Sequence, residues 1–205
     1  MTSCKYLGVI VDEQLSWEDH IEHVFKKLIK FTSIFYKLRS ILPKHCLHKL
    51  YYAFVYPHLL YSVEVYGNAS KSALDKLCKL NNKILRILLH KKIDTPVYEL
   101  YNSINSVPIP FLHEISILKF IHKCMYHKHL VPVIFHSYYN ESSLLHEHFT
   151  RRCTDLHLSS VYTNFGKRTS TFHGSVIWNK LPSSVKSTIS IPLFNQECLQ
   201  FYQHL

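Results

Sequence analysis

Two long stretches, 17–39 and 72–90, separate apolar from basic residues so cleanly that they dictate helices packed against a shared core. At about 100° per residue, Ile21, Val24, Leu28, Phe31, Phe35 and Leu38 fall on one stripe of the first stretch. Lys26, Lys30 and Lys37 fall within about 40° of one another on the opposite side. The second stretch repeats the design. Leu74, Leu77, Cys78, Asn81, Ile84, Leu85 and Leu88 form its stripe, opposite Lys76, Lys79, Lys83 and Arg86. A single lysine row is ordinarily a solvated face. Two such rows, followed by Lys91 and Lys92, suggest a surface for a phosphate backbone.

The rest of the chain is read around these helices. Residues 6–11 (YLGVIV) predict one short, fully buried strand, turned by Asp12-Glu13-Gln14. Ser16 is placed to cap the first helix, with Glu18 and Asp19 at its positive end. A second helix is expected over 44–55, stopping before Pro57. The stretch 61–66 is apolar and β-branched enough for a strand, ended by Gly67-Asn68. Thr95-Pro96 reads as a cap and first position for a helix to about 104. Pro108 and Pro110 interrupt, and a helix over 111–129 follows, with Leu112, Ile115, Leu118, Ile121 and Met125 as its stripe. Periodicity fades over 132–172, where Arg151-Arg152 makes a basic spot, and a packed piece runs over 174–205. The fold class is therefore mainly α, with a short N-terminal strand and a loop-rich C-terminal segment.

Lys and Arg outnumber Asp and Glu by 24 to 14, a formal charge of +10 with histidines neutral. Such an excess favours a polyanionic partner, nucleic acid before an acidic membrane surface. The six cysteines contain no C-x-x-C pair, and nothing at the start of the chain reads as a signal peptide. A reduced protein of the cytoplasm or nucleus, not a secreted one, is expected. The longest apolar run, 51–61, is too short to span a bilayer and is broken by Pro57 and His58.

The catalytic motifs of phosphoryl transfer are missing. Polymerases hold two metal ions on acidic side chains set close together, but Asp12, Asp19, Asp75, Asp94 and Asp155 are all separated in sequence and none lies in an aromatic-x-Asp-Asp hairpin. No glycine-rich phosphate loop, G-x-S-x-G or H-E-x-x-H occurs. No catalytic residue and no cofactor are assigned. Among the 16 histidines, His122, Cys124, His127 and His129 cluster, but 122, 124 and 127 share no helical face. His146, His148, Cys153 and His157 have no zinc-site spacing, so no metal is expected. Trp17, Trp178 and the tyrosines could stack on bases, although core packing is their simpler role. Trp178 reads as an anchor for the C-terminal segment.

Five short motifs remain: Y-L-G-V at Tyr6–Val9, L-S-W-x-x-H-I at Leu15–Ile21, Y-P-H-L-L-Y at Tyr56–Tyr61, N-x-x-L-R-I-L at Asn82–Leu88, and R-T…G…W-N-x-L-P from Arg168 to Pro182. In this order they resemble the C-terminal part of the reverse transcriptase of non-LTR retrotransposons of the jockey-like group, downstream of the polymerase active site. Tyr66 departs from the tryptophan that related chains commonly carry before Gly67.

The resemblance implies a residual palm and primer-grip edge over 1–14, with Tyr6, Leu7 and Gly8 near a primer end. It further implies a helical thumb-like bundle over 15–131, a linker over 132–172 and a packing segment over 173–205. For 61–66 it implies a continued helix equally well as the strand. Fingers, most of the palm and the endonuclease would be absent, as in an open reading frame that starts at an internal methionine of a decayed element. The expected function is a polymerase fragment inactive alone. At most it would bind RNA, DNA or an RNA–DNA hybrid through phosphates, using Lys26, Lys30, Lys37, Lys76, Lys79, Lys83 and Arg86. The alternatives are an all-helical protein-interaction domain and a nucleic-acid-binding protein retained by its host.

Overall fold

A computed structural model describes residues 3–140 and 155–204 and divides the chain into two compact units, Met1–His113 and Glu114–Leu205. The described residues are mainly α-helical, with one two-stranded sheet.

The first unit opens with a hairpin, β1 (Ser3–Tyr6) and β2 (Val9–Asp12), paired antiparallel with Tyr6 opposite Val9 and Ser3 opposite Asp12. This corrects the single buried strand expected over 6–11. Leu7 (φ 45) and Gly8 (φ 83) both take positive φ, the geometry of a tight hairpin turn that matches strand twist. The apolar run is thus cut in two, and of its residues only Val9 is buried.

Asp12 organises the exit from β2. Its carboxylate accepts hydrogen bonds from the backbone N–H groups of Gln14 (3.1 Å), Ser16 (2.9 Å) and Trp17 (2.8 Å). These bonds outweigh partial desolvation and hold its pKa below the usual carboxylate value. Helix α1 (Glu18–Leu38) then starts from Trp17 in a left-handed conformation with no side-chain cap. Ser16 is not the expected cap, because its hydroxyl reaches only the N–H of Glu18, at 3.4 Å. Asp12 does the loop-closing work instead. His20, in the first turn of α1, accepts from the Ile10 N–H through Nδ1 (3.3 Å), which ties helix to hairpin.

Helices α2 (Lys44–Phe54), α3 (Tyr56–Leu60) and α4 (Val63–Tyr66) follow, so 61–66 continues helically after a break at Tyr61 and Ser62. Helix α5 (Lys71–Leu89) is capped by Ser70, whose hydroxyl accepts from the Ala73 N–H. Helix α6 (Val97–Ser103) has Pro96 at its cap. Thr95 therefore lies one position too early to cap it, and its carbonyl instead accepts from Arg86.

Helices α1 and α5 pack lengthwise, burying Ile21, Val24, Leu28 and Phe35 against a layer that includes Leu77, Ile84, Leu85 and Leu88. Asn81 sits within this apolar stripe because its amide is satisfied there. It accepts from the Tyr51 hydroxyl (3.1 Å) and donates to the Tyr101 oxygen (3.0 Å), and Tyr101 in turn donates to Asn82 (2.9 Å). A buried polar group with full partners avoids the desolvation penalty that an orphan would carry.

Helix α7 (Ile109–Tyr126) begins in the first unit and runs mostly in the second. It starts earlier than expected, since Pro110 fits the first helical turn, where no N–H is needed, and it ends at Tyr126 rather than 129. The expected loop over 132–172 contains a 3₁₀ turn, Val133–Phe135, and helix α8 (Asn164–Arg168). Helix α9 (Ser170–Lys180) starts before the boundary drawn at 173–174. Helices α10 (Ser183–Lys186) and α11 (Ile191–Gln203) complete the second unit. Arg151, Arg152, His146, His148 and Cys153 lie outside the described residues. Trp178 is buried, with its ring 5.9 Å from that of Phe194, which stacks on His122 at 4.2 Å. Gly174 faces Ile121, Ile117 and the Tyr139 hydroxyl so closely that a Cβ would lie 3.0–3.1 Å from them.

Candidate nucleic-acid interface

In the first unit the two amphipathic helices run in the same direction. Near their N-terminal ends Lys76 pairs with Glu22, and towards their C-terminal ends they flank an open groove of about 1050 Å³. Helix α1 and its cap residue supply Ile29, Thr32, Ser33, Tyr36, Lys37 and Arg39. Helix α5 supplies Lys79, Asn82, Lys83, Arg86 and Ile87, and the chain beyond it adds Lys91 and Ile93.

Six of these side chains are cationic and none is a carboxylate. The C-terminal ends of two parallel helices place partial negative charge nearby, about −0.5 each, which offsets roughly one of the six charges. Lys91 lies 3.9 Å from Glu99, an exposed pair worth little. Among the described residues no carboxylate lies within ion-pair distance of Lys37, Lys79 or Lys83. The groove keeps a clear positive excess.

Two residues shape it further. The Arg39 guanidinium lies 4.2 Å from the centroid of the exposed Tyr36 ring, a cation–π arrangement. Arg86 donates from Nη2 to the Thr95 carbonyl (3.1 Å), which steers the loop carrying Lys91 and Ile93.

The basic residues singled out from the sequence divide into two groups. Lys37, Lys79, Lys83 and Arg86 line the groove. Lys26, Lys30 and Lys76 do not. Lys76 binds Glu22 and covers the Phe25 ring at 4.5 Å, while Lys26 approaches the other oxygen of Glu22 at 3.7 Å. Hydrogen bonding from Lys76 is the main cause of the lowered pKa of Glu22. Lys30 is exposed outside the groove. Periodicity did not single out Tyr36, Arg39, Ile29, Ile87 or Ile93. They lie at the edge of a stripe or beyond a helix end, where wheel position says little.

Tyr6, Leu7 and Gly8 sit at the hairpin tip, with Tyr6 and Leu7 strongly exposed. The Tyr61 hydroxyl donates to the Leu7 carbonyl, and the Tyr61 ring stands 3.4 Å from where a Cβ on Gly8 would be. The last residue of Y-P-H-L-L-Y thus closes the turn of Y-L-G-V.

His122 and His127 each meet a backbone carbonyl, Thr188 at 2.8 Å and Ile189 at 2.9 Å, through Nε2. Among the described residues no group of three or more His, Cys, Asp or Glu side chains is arranged to hold a metal ion, and no helix is long and apolar enough to cross a membrane.

Comparison with known proteins points to the same family. Over 85 residues, 40% of this chain, the sequence is 36% identical to the RNA-directed DNA polymerase from mobile element jockey of Drosophila funebris. It is 34% identical over 85 residues to the corresponding polymerase of Drosophila melanogaster. This chain resembles a fragment of a jockey-like non-LTR retrotransposon reverse transcriptase. The match spans 9% of each of these relatives. No protein-family model and no solved structure matches the chain.

Proposed function

We propose that this chain is a thumb-like, C-terminal portion of such a polymerase, without polymerisation activity of its own, and that it holds nucleic acid non-specifically through phosphates. On this reading 1–14 is the edge of a palm, with Tyr6, Leu7 and Gly8 towards the primer end. Residues 15–131 form the thumb-like part, 132–172 a linker and 173–205 a packing segment. The partner is RNA, DNA or an RNA–DNA hybrid, met in the cytoplasm or nucleus. Lys37, Lys79, Lys83 and Arg86 make the main contacts, with Lys26, Lys30 and Lys76 flanking them.

One observation carries the reading: basic residues from two separate helices line the same groove with no carboxylate among them. Phosphate contacts of this kind position a nucleic acid without reading its sequence. The inactivity follows from the aspartates, which are all separated in sequence and offer no adjacent pair for two metal ions. The test incubates the purified chain with a primed RNA template, deoxynucleotides and Mg²⁺, and in parallel measures binding to the same hybrid. Binding without primer extension is expected. Primer extension would overturn the claim of inactivity, and a folded chain that binds no nucleic acid would overturn the claim of phosphate contact.

A further inference from the structure

The groove between α1 and α5 is not lined as a simple phosphate rail. Beside its six cationic side chains, Ile29, Tyr36, Ile87 and Ile93 also line it. Ile93 is 89% exposed, Tyr36 58% and Ile29 48%, so this apolar surface stands open to water. A duplex keeps its base faces stacked inside and offers phosphates to such a surface, which would engage the cationic side chains and leave the apolar ones wet. A single strand offers both, since each unstacked base has an apolar face and each nucleotide a phosphate.

Tyr36 presents an exposed aromatic ring to the groove. Arg39 covers its ring at 4.2 Å, joining a π face to a cation within one helical turn, and Lys37 stands next to it in sequence. Base stacking on an aromatic side chain tolerates any sequence, as does phosphate contact. The volume, about 1050 Å³, is at the top of the range of roughly 300–1,000 Å³ found for pockets that enclose drug-sized ligands. It has room for more than one nucleotide.

Building on the phosphate-contact reading above, we infer that this groove takes single-stranded nucleic acid, with an unpaired base stacked on Tyr36 and its flanking phosphates on Lys37, Arg39, Lys79 and Lys83. The thumb-like helices would then hold an unpaired strand beside a template–primer duplex, rather than only the duplex.

The test uses the full chain and four fluorescein-labelled 20-mers at one salt concentration: a single-stranded oligo(dT), an abasic strand of the same length, a blunt DNA duplex and an RNA–DNA hybrid. The variants are Tyr36→Ala and Tyr36→Phe, each checked for wild-type helicity by circular dichroism. Oligo(dT) should bind tighter than the abasic strand and the duplex. Tyr36→Ala should weaken oligo(dT) binding about tenfold, with the abasic strand unaffected and Tyr36→Phe close to wild type. If the abasic strand or the duplex binds as tightly as oligo(dT), and Tyr36→Ala changes nothing, the groove is a phosphate rail only. That would overturn this inference and leave phosphate contact standing. If the folded chain binds none of the four, both fail together.

Discussion

Asn179 grips the backbone of Leu156 with both ends of its amide. The Leu156 N–H donates to Oδ1 at 2.8 Å, and Nδ2 donates to the Leu156 carbonyl at 2.9 Å. An asparagine side chain thereby imitates a strand partner for a segment that has little regular structure. Lys186 ties the same stretch, donating to Asp155 at 3.0 Å and to the Asn179 carbonyl at 3.2 Å. The W-N-x-L-P motif is thus a clamp: Trp178 and Leu181 are buried beside Asn179, and Pro182 caps α10.

Removing the clamp leaves a partly buried N–H and carbonyl without partners. Asn179→Ala should therefore destabilise the chain by about 1–3 kcal/mol. Urea unfolding followed by tryptophan fluorescence measures this, since Trp178 is adjacent. A variant within about 0.5 kcal/mol of wild type would mean that water replaces the amide without loss.

The hairpin turn depends on Gly8, whose φ of +83° disfavours any L side chain and whose Cβ position touches the Tyr61 ring. Gly8→Ala should lose about 1 kcal/mol. The loss should be local, seen as faster hydrogen exchange in β1 and β2. Tyr61→Phe, which removes the bond to the Leu7 carbonyl, should speed exchange in the same amides. Unchanged protection in both variants would show that this turn does not hold the hairpin.

Acid should weaken both units. Burial, with smaller contributions from His23 and Lys27, pushes the His20 pKa down, and burial does the same for His122 and His173. A histidine whose folded pKa lies below its unfolded value of about 6.5 favours folding in its neutral form. Its contribution is complete above about pH 6.5 and is lost as pH falls through the lowered folded value. His20→Gln keeps an acceptor for the Ile10 N–H but cannot titrate, so its urea midpoint should fall less than wild type between pH 7.5 and pH 5.5. Equal falls would remove His20 from the acid response.

Thiol reactivity should rank by burial. Cys198 is fully buried, and burial pushes its thiol up to about 12, while Cys4 is exposed on β1. At pH 8 a thiol of that pKa is thiolate on the order of one part in ten thousand. Iodoacetamide should therefore modify Cys4 within minutes and Cys198 only after unfolding, as read by peptide mass spectrometry. Comparable rates at the two sites in the folded chain would contradict the packing around α11.

The long helices were legible because a 3.6-residue period over about twenty residues is hard to produce otherwise. The buried faces of α1 and α5 follow the expected stripes closely. The hairpin was not legible, since YLGVIV fits a continuous strand as well as it fits a turn, and only the pairing of Tyr6 with Val9 distinguishes them. Ser16 looked like a cap because capping preference is local, whereas Asp12 reaches the same loop from four residues upstream. At the candidate interface, wheel positions grouped Lys26 and Lys30 with Lys37, but Glu22 draws Lys26 and Lys76 aside. The Lys76–Glu22 pair crosses between helices and cannot be read from either alone, whereas Lys26–Glu22 is an i,i+4 pair within α1. Tyr36 is not legible for a similar reason: it belongs to no stripe until Arg39 and α5 are set beside it.

The central claim is that the α1–α5 groove holds nucleic acid through phosphates, and the most direct measurement is the salt dependence of binding. For a single strand the slope of log K against log salt is about −0.7 per phosphate contacted, so full use of six cations would give about −4. Reversing Lys37, Lys79 and Lys83 together to Glu should flatten the slope by about 2 or more, whereas Lys26→Glu with Lys30→Glu, outside the groove, should change it less. A slope that the groove variant leaves unchanged, in a chain shown to be folded, would contradict the account.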